Sequence, residues 1–248
     1  VLPEVVGPGT GGGGGEVVGG AGRGFGVSGE VAPGALELLL SGREPISGTV
    51  LGYPLVDRTL ASGKVVRAVA GFDATVSAPK SLSVWWALTG DRRLLEAHDV
   101  AVRSVVAMLE RFGATTRIRS NGGRLHPETG GLTIGSFRQT TSRLDDPQLH
   151  THLVIASKVQ TADGGWLALD ARLLKKHKRA LGGLYQSVLR AGPPQRFGVG
   201  FGGTGKGEAE MAGVRRGVPA RALPGLPGAV PRLVGRFGRK RRLVRFFA

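Results

Sequence analysis

The chain contains no cysteine among its 248 residues, so neither a disulfide framework nor a thiolate metal site is available, and a cytoplasmic location is the natural expectation. No apolar run approaches the roughly 20 residues that cross a bilayer. The start also lacks a charged stretch followed by an apolar one, the mark of a secretory signal, so a soluble protein with no membrane partner is expected. Tyrosine is scarce, with Tyr53 and Tyr185 the two in the whole chain. A Gly-x-x-x-x-Gly-Lys-Ser/Thr phosphate loop is missing as well, and with it any support for ATP use.

Acidic residues are few, 18 against 34 Lys and Arg, for a formal charge of +16. Clustered cations bind phosphate by releasing counterions, so such an excess points toward nucleic acid or another anionic surface. The excess is unevenly held. Residues 214–248 carry ten Arg and Lys and no acid, so this tail supplies +10 and the rest only +6. A body at +6 is compatible with DNA binding without demanding it.

Glycine is abundant, 43 residues with an unbroken run from Gly11 to Gly15. Residues 1–25 show no apolar periodicity that could build a core face and are expected to be disordered. Residues 26–213 read as one catalytic-type domain, an ordinary length for a single core. Residues 214–248, a mixture of Arg, Gly, Pro, Leu and Val, read as a second disordered tail.

Within the domain, 33–40 suits a short helix that turns Leu36, Leu39 and Leu40 inward. Residues 65–76 read as a strand, and Ala78-Pro79-Lys80 opens a helix running through Val84, Trp85 and Leu88 to Gly90, with its tryptophans in the core. Asp91 suits the N-cap of a longer helix in which Leu94, Leu95, His98, Val102, Val105, Leu109 and Phe112 recur at helical spacing. His98 lies on that apolar stripe and reads as a core residue. Short strands are expected over 115–119, 132–140, 150–160 and 166–169, with turns at Asn121-Gly122 and Asp163-Gly164-Gly165. Asp170 then caps a helix over 171–190 whose Lys175, Lys176, His177, Lys178 and Arg179 read as a solvated face. Helices, hairpins and a further helix in this order imply an α+β fold, an antiparallel sheet with helices packed on one face.

The chemistry-bearing motif is Pro147-Gln148-Leu149-His150-Thr151-His152. In a strand, residues i and i+2 share a face, so His150 and His152 present their nitrogens together. A bare His-x-His is a weak signal, but its neighbours sharpen it. The stretch Phe137-Arg138-Gln139-Thr140-Thr141-Ser142-Arg143-Leu144-Asp145-Asp146 leading into it resembles the metal-binding motif of TrwC/TraI-type (MobF) conjugative relaxases. Upstream, Gly71-Phe72-Asp73-Ala74-Thr75-Val76-Ser77-Ala78-Pro79-Lys80-Ser81-Leu82-Ser83-Val84 is similar to the other signature of that family, in the same order. The resemblance extends from about Gly26 to about Val214.

That resemblance implies a palm-like HUH relaxase fold. It also implies site- and strand-specific nicking of single-stranded DNA at a transfer origin, through a phosphotyrosyl intermediate. Single-stranded DNA and other conjugation accessory proteins are the implied partners, and a divalent ion, Mg²⁺, Mn²⁺ or Zn²⁺, the implied cofactor. Carried over residue by residue, His150 and His152 are two metal ligands, and Gln139 stands where the third histidine belongs. An amide oxygen is a poorer donor to transition metals than imidazole, so a weaker site is expected. Asp73 matches the active-site acid. Lys80 and Arg143 either meet phosphate or hold the fold through ion pairs. The family's nucleophilic tyrosines precede the segment around Gly26, where this chain has none, so a covalent intermediate is not expected from it. The glycine-rich start and acid-free tail read as frameshifted or truncated flanks, which resequencing with the adjoining DNA checks. Two alternatives stand beside nicking: a non-catalytic single-stranded-DNA-binding remnant, and a metal-dependent nuclease with a water nucleophile.

Overall fold

The computed structural model describes residues 15–20, 29–30, 34–142, 146–192, 201–203, 209–211 and 242–247. Its first part runs β1 (Glu16–Val18), β2 (Gly29–Glu30), α1 (Ala35–Leu40), β3 (Arg58–Thr59), β4 (Val65–Val66), β5 (Val69–Ser77), α2 (Lys80–Thr89) and α3 (Arg92–Gly113). Next come β6 (Ile118–Ser120), β7 (Gly123–Leu125), β8 (Ile134–Thr141), β9 (Pro147–Ala156), β10 (Lys158–Gln160), β11 (Trp166–Ala168) and α4 (Arg172–Ala191). β12 (Phe201–Gly203), β13 (Ala209–Met211) and β14 (Arg242–Phe247) close the order. Six strands form one sheet in the order β14-β5-β9-β8-β1-β2, antiparallel throughout except for the parallel pair of β14 with β5. The protein is therefore α+β, as its pattern of elements implies.

Alternation along β5, β8 and β9 gives this sheet two unlike faces. Phe72, Ala74 and Val76 of β5, Ile134 of β8, and Leu149, Leu153 and Ile155 of β9 point to one side. There they pack with Leu82 and Trp86 of α2, Leu94, Val105 and Leu109 of α3, and Leu174, Leu181 and Tyr185 of α4. The cap of α3 is the expected one, the Asp91 carboxylate accepting a hydrogen bond from the Arg93 amide at 3.0 Å and satisfying an otherwise orphaned donor. On the other side α1 covers part of the sheet, its Ala35 and Leu40 packing with Phe137 and Val154. The remainder of that face is where the motif residues emerge. Among the described residues no helix is long and apolar enough to cross a membrane.

Several expectations shift in detail. The strand expected over 65–76 is broken into β4 and β5, because the Ala68 amide donates to Asp57 Oδ1 at 2.8 Å in place of a ladder bond. The strand expected over 150–160 starts earlier, at Pro147, and divides at Ser157, after which β10 pairs with β11. Of the two tryptophans expected in the core, Trp86 is buried and Trp85 half-buried, while Leu88 at the end of α2 is exposed. Pro33 lies outside the described residues, and α1 begins at Ala35 after Gly34, whose φ of 80° suits glycine.

The flanking segments expected to be disordered each hold a strand. β1 pairs with β8 through Glu16, Val17 and Val18, and both valines pack onto buried clusters. The Gly20 amide beside it donates to Glu110 Oε1 at 2.9 Å, which ties this segment to α3. Leu243, Val244, Phe246 and Phe247 are β-prone residue types, and the backbone of Arg242–Phe247 pairs with β5 from Val69 to Thr75. The rest of those two segments lies outside the described residues.

Candidate functional site

β5, β9 and β8 bring four of the sequence-predicted residues onto the partly open face. Ser77 and Gln139 are both register partners of His150, Thr75 and Phe137 are partners of His152, and Asp73 is the partner of Val154. Partners across a ladder point the same way, so Asp73, Gln139, His150 and His152 share one face. The two imidazole rings lie 5.1 Å apart, centroid to centroid, at 72° to each other. β8 departs from regular register just beyond Gln139, between it and Thr141.

Both histidines have their tautomer set by an acceptor oxygen. His152 Nδ1–H donates to Asp73 Oδ1 at 2.9 Å, with Thr75 Oγ1 3.2 Å from the same nitrogen and 3.4 Å from the same carboxylate oxygen. His150 Nδ1–H donates to the Gln148 carbonyl at 2.8 Å. A neutral imidazole with its proton on Nδ1 leaves the Nε2 lone pair free. Among the described residues neither Nε2 has a hydrogen-bond partner. Burial is the largest influence on His150 and holds its pKa below the ordinary value. The Gln148 carbonyl opposes that effect and His152 adds to it. Neutral imidazole is the form that binds metal.

These residues fit a divalent ion only in part. His150 and His152 supply two nitrogens, and the half-buried Gln139 is the neighbouring position from which an amide oxygen would come. Among the described residues no group of three or more His, Cys, Asp or Glu is placed to hold a metal. Asp73 is buried and engaged with His152, which suits an orienting carboxylate.

Lys80 is the first residue of α2. Its Nζ donates to the Pro147 carbonyl at 2.8 Å and lies 3.9 Å from Asp146 Oδ2, tying the start of α2 to the start of β9. Arg143 lies outside the described residues. Neither tyrosine is at the site. Tyr185 is fully buried on the helix-covered face, its hydroxyl 2.6 Å from His98 Nδ1. Tyr53 is 81% exposed, and its carbonyl accepts from Lys158 Nζ at 2.5 Å, six residues along the chain from His152. Sequence reasoning missed Thr75, although it stands two residues from Asp73 and the same period-two rule places it on this face.

The family model for TrwC relaxases matches residues 10–221. The multifunctional conjugation protein TraI of Escherichia coli (strain K12) is 33% identical over 232 residues, 87% of this chain and 12% of that protein. A second Escherichia coli TraI is 40% identical over 129 residues, 48% of this chain and 7% of it. The chain thus spans a small part of the curated relatives it matches. Among solved structures, a copper-bound conjugative relaxase TrwC in complex with oriT DNA matches with a TM-score of 0.69 and 33% identity, covering 82% of this chain and 67% of that one. TrwC complexed with a 27-mer DNA comprising the recognition hairpin and the cleavage site matches with a TM-score of 0.69 and 32% identity, covering 84% and 70%.

Proposed function

The chain belongs to the TrwC relaxase family, and on that premise we propose that it is a conjugative relaxase domain that binds single-stranded DNA of a transfer origin across the site face of its sheet. The observation that carries this reading is the convergence of Asp73, His150, His152 and Gln139 on one face, with neither Nε2 hydrogen-bonded among the described residues. Related TrwC structures hold oriT DNA, and one of them holds copper.

In this reading His150 and His152, through Nε2, and Gln139, through its amide oxygen, would hold a divalent ion. When bound, such an ion polarises the non-bridging oxygens of the scissile phosphate, an effect worth several kcal/mol. Asp73 keeps the His152 proton on Nδ1 and the ring fixed, and Thr75 braces both groups. Lys80 holds the first residue of β9, from which the histidines project. Arg143 is assigned to phosphate by the family pattern. The tyrosine step is a separate matter, since Tyr185 lies behind the sheet and Tyr53 is held at Lys158. We therefore propose that this 248-residue chain alone binds the strand without forming a phosphotyrosyl bond. A water nucleophile at the same site is the second reading, favoured by the same absence of tyrosine there.

The test takes a fluorescent single strand selected from a random pool by this protein. Anisotropy should report binding that is tighter than to the matching duplex and weakens as salt rises. A denaturing gel should show no protein-linked strand. A band of covalent adduct would overturn the binding-only proposal, and failure to select any strand would overturn the DNA reading. Cleavage without adduct, lost in His150→Ala, would favour the water nucleophile.

A further inference from the structure

We propose that His98, Asp99 and Tyr185 form a positioning device behind the sheet that fixes the placement of the candidate ligands on β8 and β9, an inference that rests on the metal-site reading above. Thr151 stands between His150 and His152 in sequence and points to the opposite, helix-covered face, where it is buried. His98 of α3 is wholly buried there, with Nε2 2.7 Å from Thr151 Oγ1 and Nδ1 2.6 Å from the Tyr185 hydroxyl of α4. The His98 and Tyr185 rings meet edge to face, 5.6 Å apart at 79°. With the phenol donating to Nδ1, the imidazole proton lies on Nε2 and donates to Thr151.

The next residue of α3 acts on the next strand. Asp99 accepts a hydrogen bond from Arg138 Nη1 at 2.7 Å, and Arg138 is the register partner of Thr151. Two consecutive residues of one helix thus grip a pair of cross-strand partners. That pair lies between the Gln139–His150 and Phe137–His152 pairs on the other face. A slip of one residue in β9 would turn Thr151 outward and both histidines into the core. Apolar side chains would fill the same space without the cost of burying polar groups. What a fully bonded network adds is a single position for the strand.

The experiment titrates Zn²⁺ alone into the full chain by calorimetry, in wild type, Thr151→Val, Thr151→Ser, Tyr185→Phe and His150→Ala. Thr151→Val keeps the shape and removes the hydroxyl. It should weaken Zn²⁺ binding about tenfold while retaining a cooperative thermal transition, as loss of an orienting partner does. Thr151→Ser, which keeps the hydroxyl, should restore the affinity. Should Thr151→Val fail to fold, Tyr185→Phe, which removes only the far hydrogen bond, carries the same expectation. Binding lost in His150→Ala but unchanged in Thr151→Val and Tyr185→Phe would overturn this inference alone. Wild-type binding that His150→Ala leaves unchanged would overturn the site reading, and this inference with it.

Discussion

Two hydrogen bonds decide what His150 and His152 can do. With Nδ1–H given to Gln148 and to Asp73, each ring keeps its Nε2 without a hydrogen-bond partner among the described residues. In the proposed metal site Gln139 is the weak member, because an uncharged amide oxygen suits transition metals less well than imidazole. Gln139→His should raise Zn²⁺ affinity by about tenfold or more, roughly 1.4 kcal/mol. Unchanged affinity in calorimetry would remove position 139 from the site.

His98 carries a second prediction at this scale. Burial, with smaller contributions from Arg138 and His150, lowers its pKa from 6.5 to about 3. Between those values the unfolded chain takes up a proton that the folded one refuses, so stability should fall as the pH drops from 6.5 toward 3 and level off above 6.5. The full effect is of order 5 kcal/mol. Denaturant unfolding at a series of pH values should show this slope, and His98→Gln should reduce it, leaving the part that His150 contributes. A slope that His98→Gln leaves intact would assign acid sensitivity to other groups.

At the level of elements, α3 and α4 pack closely enough to need a glycine. A Cβ at Gly113, the last residue of α3, would collide with Leu174 Cδ2 of α4, and Leu174 is itself buried. Gly113→Ala should therefore destabilise the chain by about 1 to 3 kcal/mol, the cost of overpacking. A thermal midpoint equal to wild type would mean that Leu174 turns aside, or the helices separate, without cost.

The elements that the sequence announced clearly are those whose signal is local. The Asp91 cap, the 3.6-residue stripe of α3 and the Asn121-Gly122 turn, with φ of 46° and 78°, depend on neighbours in the chain. The same holds for the face shared by His150 and His152, which period two alone fixes. Partners far apart in sequence were not legible. Nothing local announces that Asp73 reaches His152 or that Ala68 bonds Asp57 and ends a strand. Nor does it announce that His98, rightly read as core, joins Tyr185 to Thr151. The family motif named Asp73, Gln139, His150 and His152 as a set, and the register of β5, β8 and β9 brings that set onto one face.

The whole molecule divides its histidines between its two sheet faces and its periphery. His150 and His152 stand on the site face with Nε2 unbonded among the described residues, and His98 is sealed behind the sheet. His126 bonds the Thr116 carbonyl, and His177 bonds the Leu173 carbonyl of its own helix. These are all five histidines of the chain. That division makes the central claim, a divalent ion held on the site face by His150 and His152, open to one direct observation. Imidazole ¹H–¹⁵N spectra recorded during a Zn²⁺ titration should show Nε2 of His150 and His152 shifting together and saturating, while His98, His126 and His177 stay in place. Saturating shifts confined to any of those three, with His150 and His152 unmoved, would contradict the account.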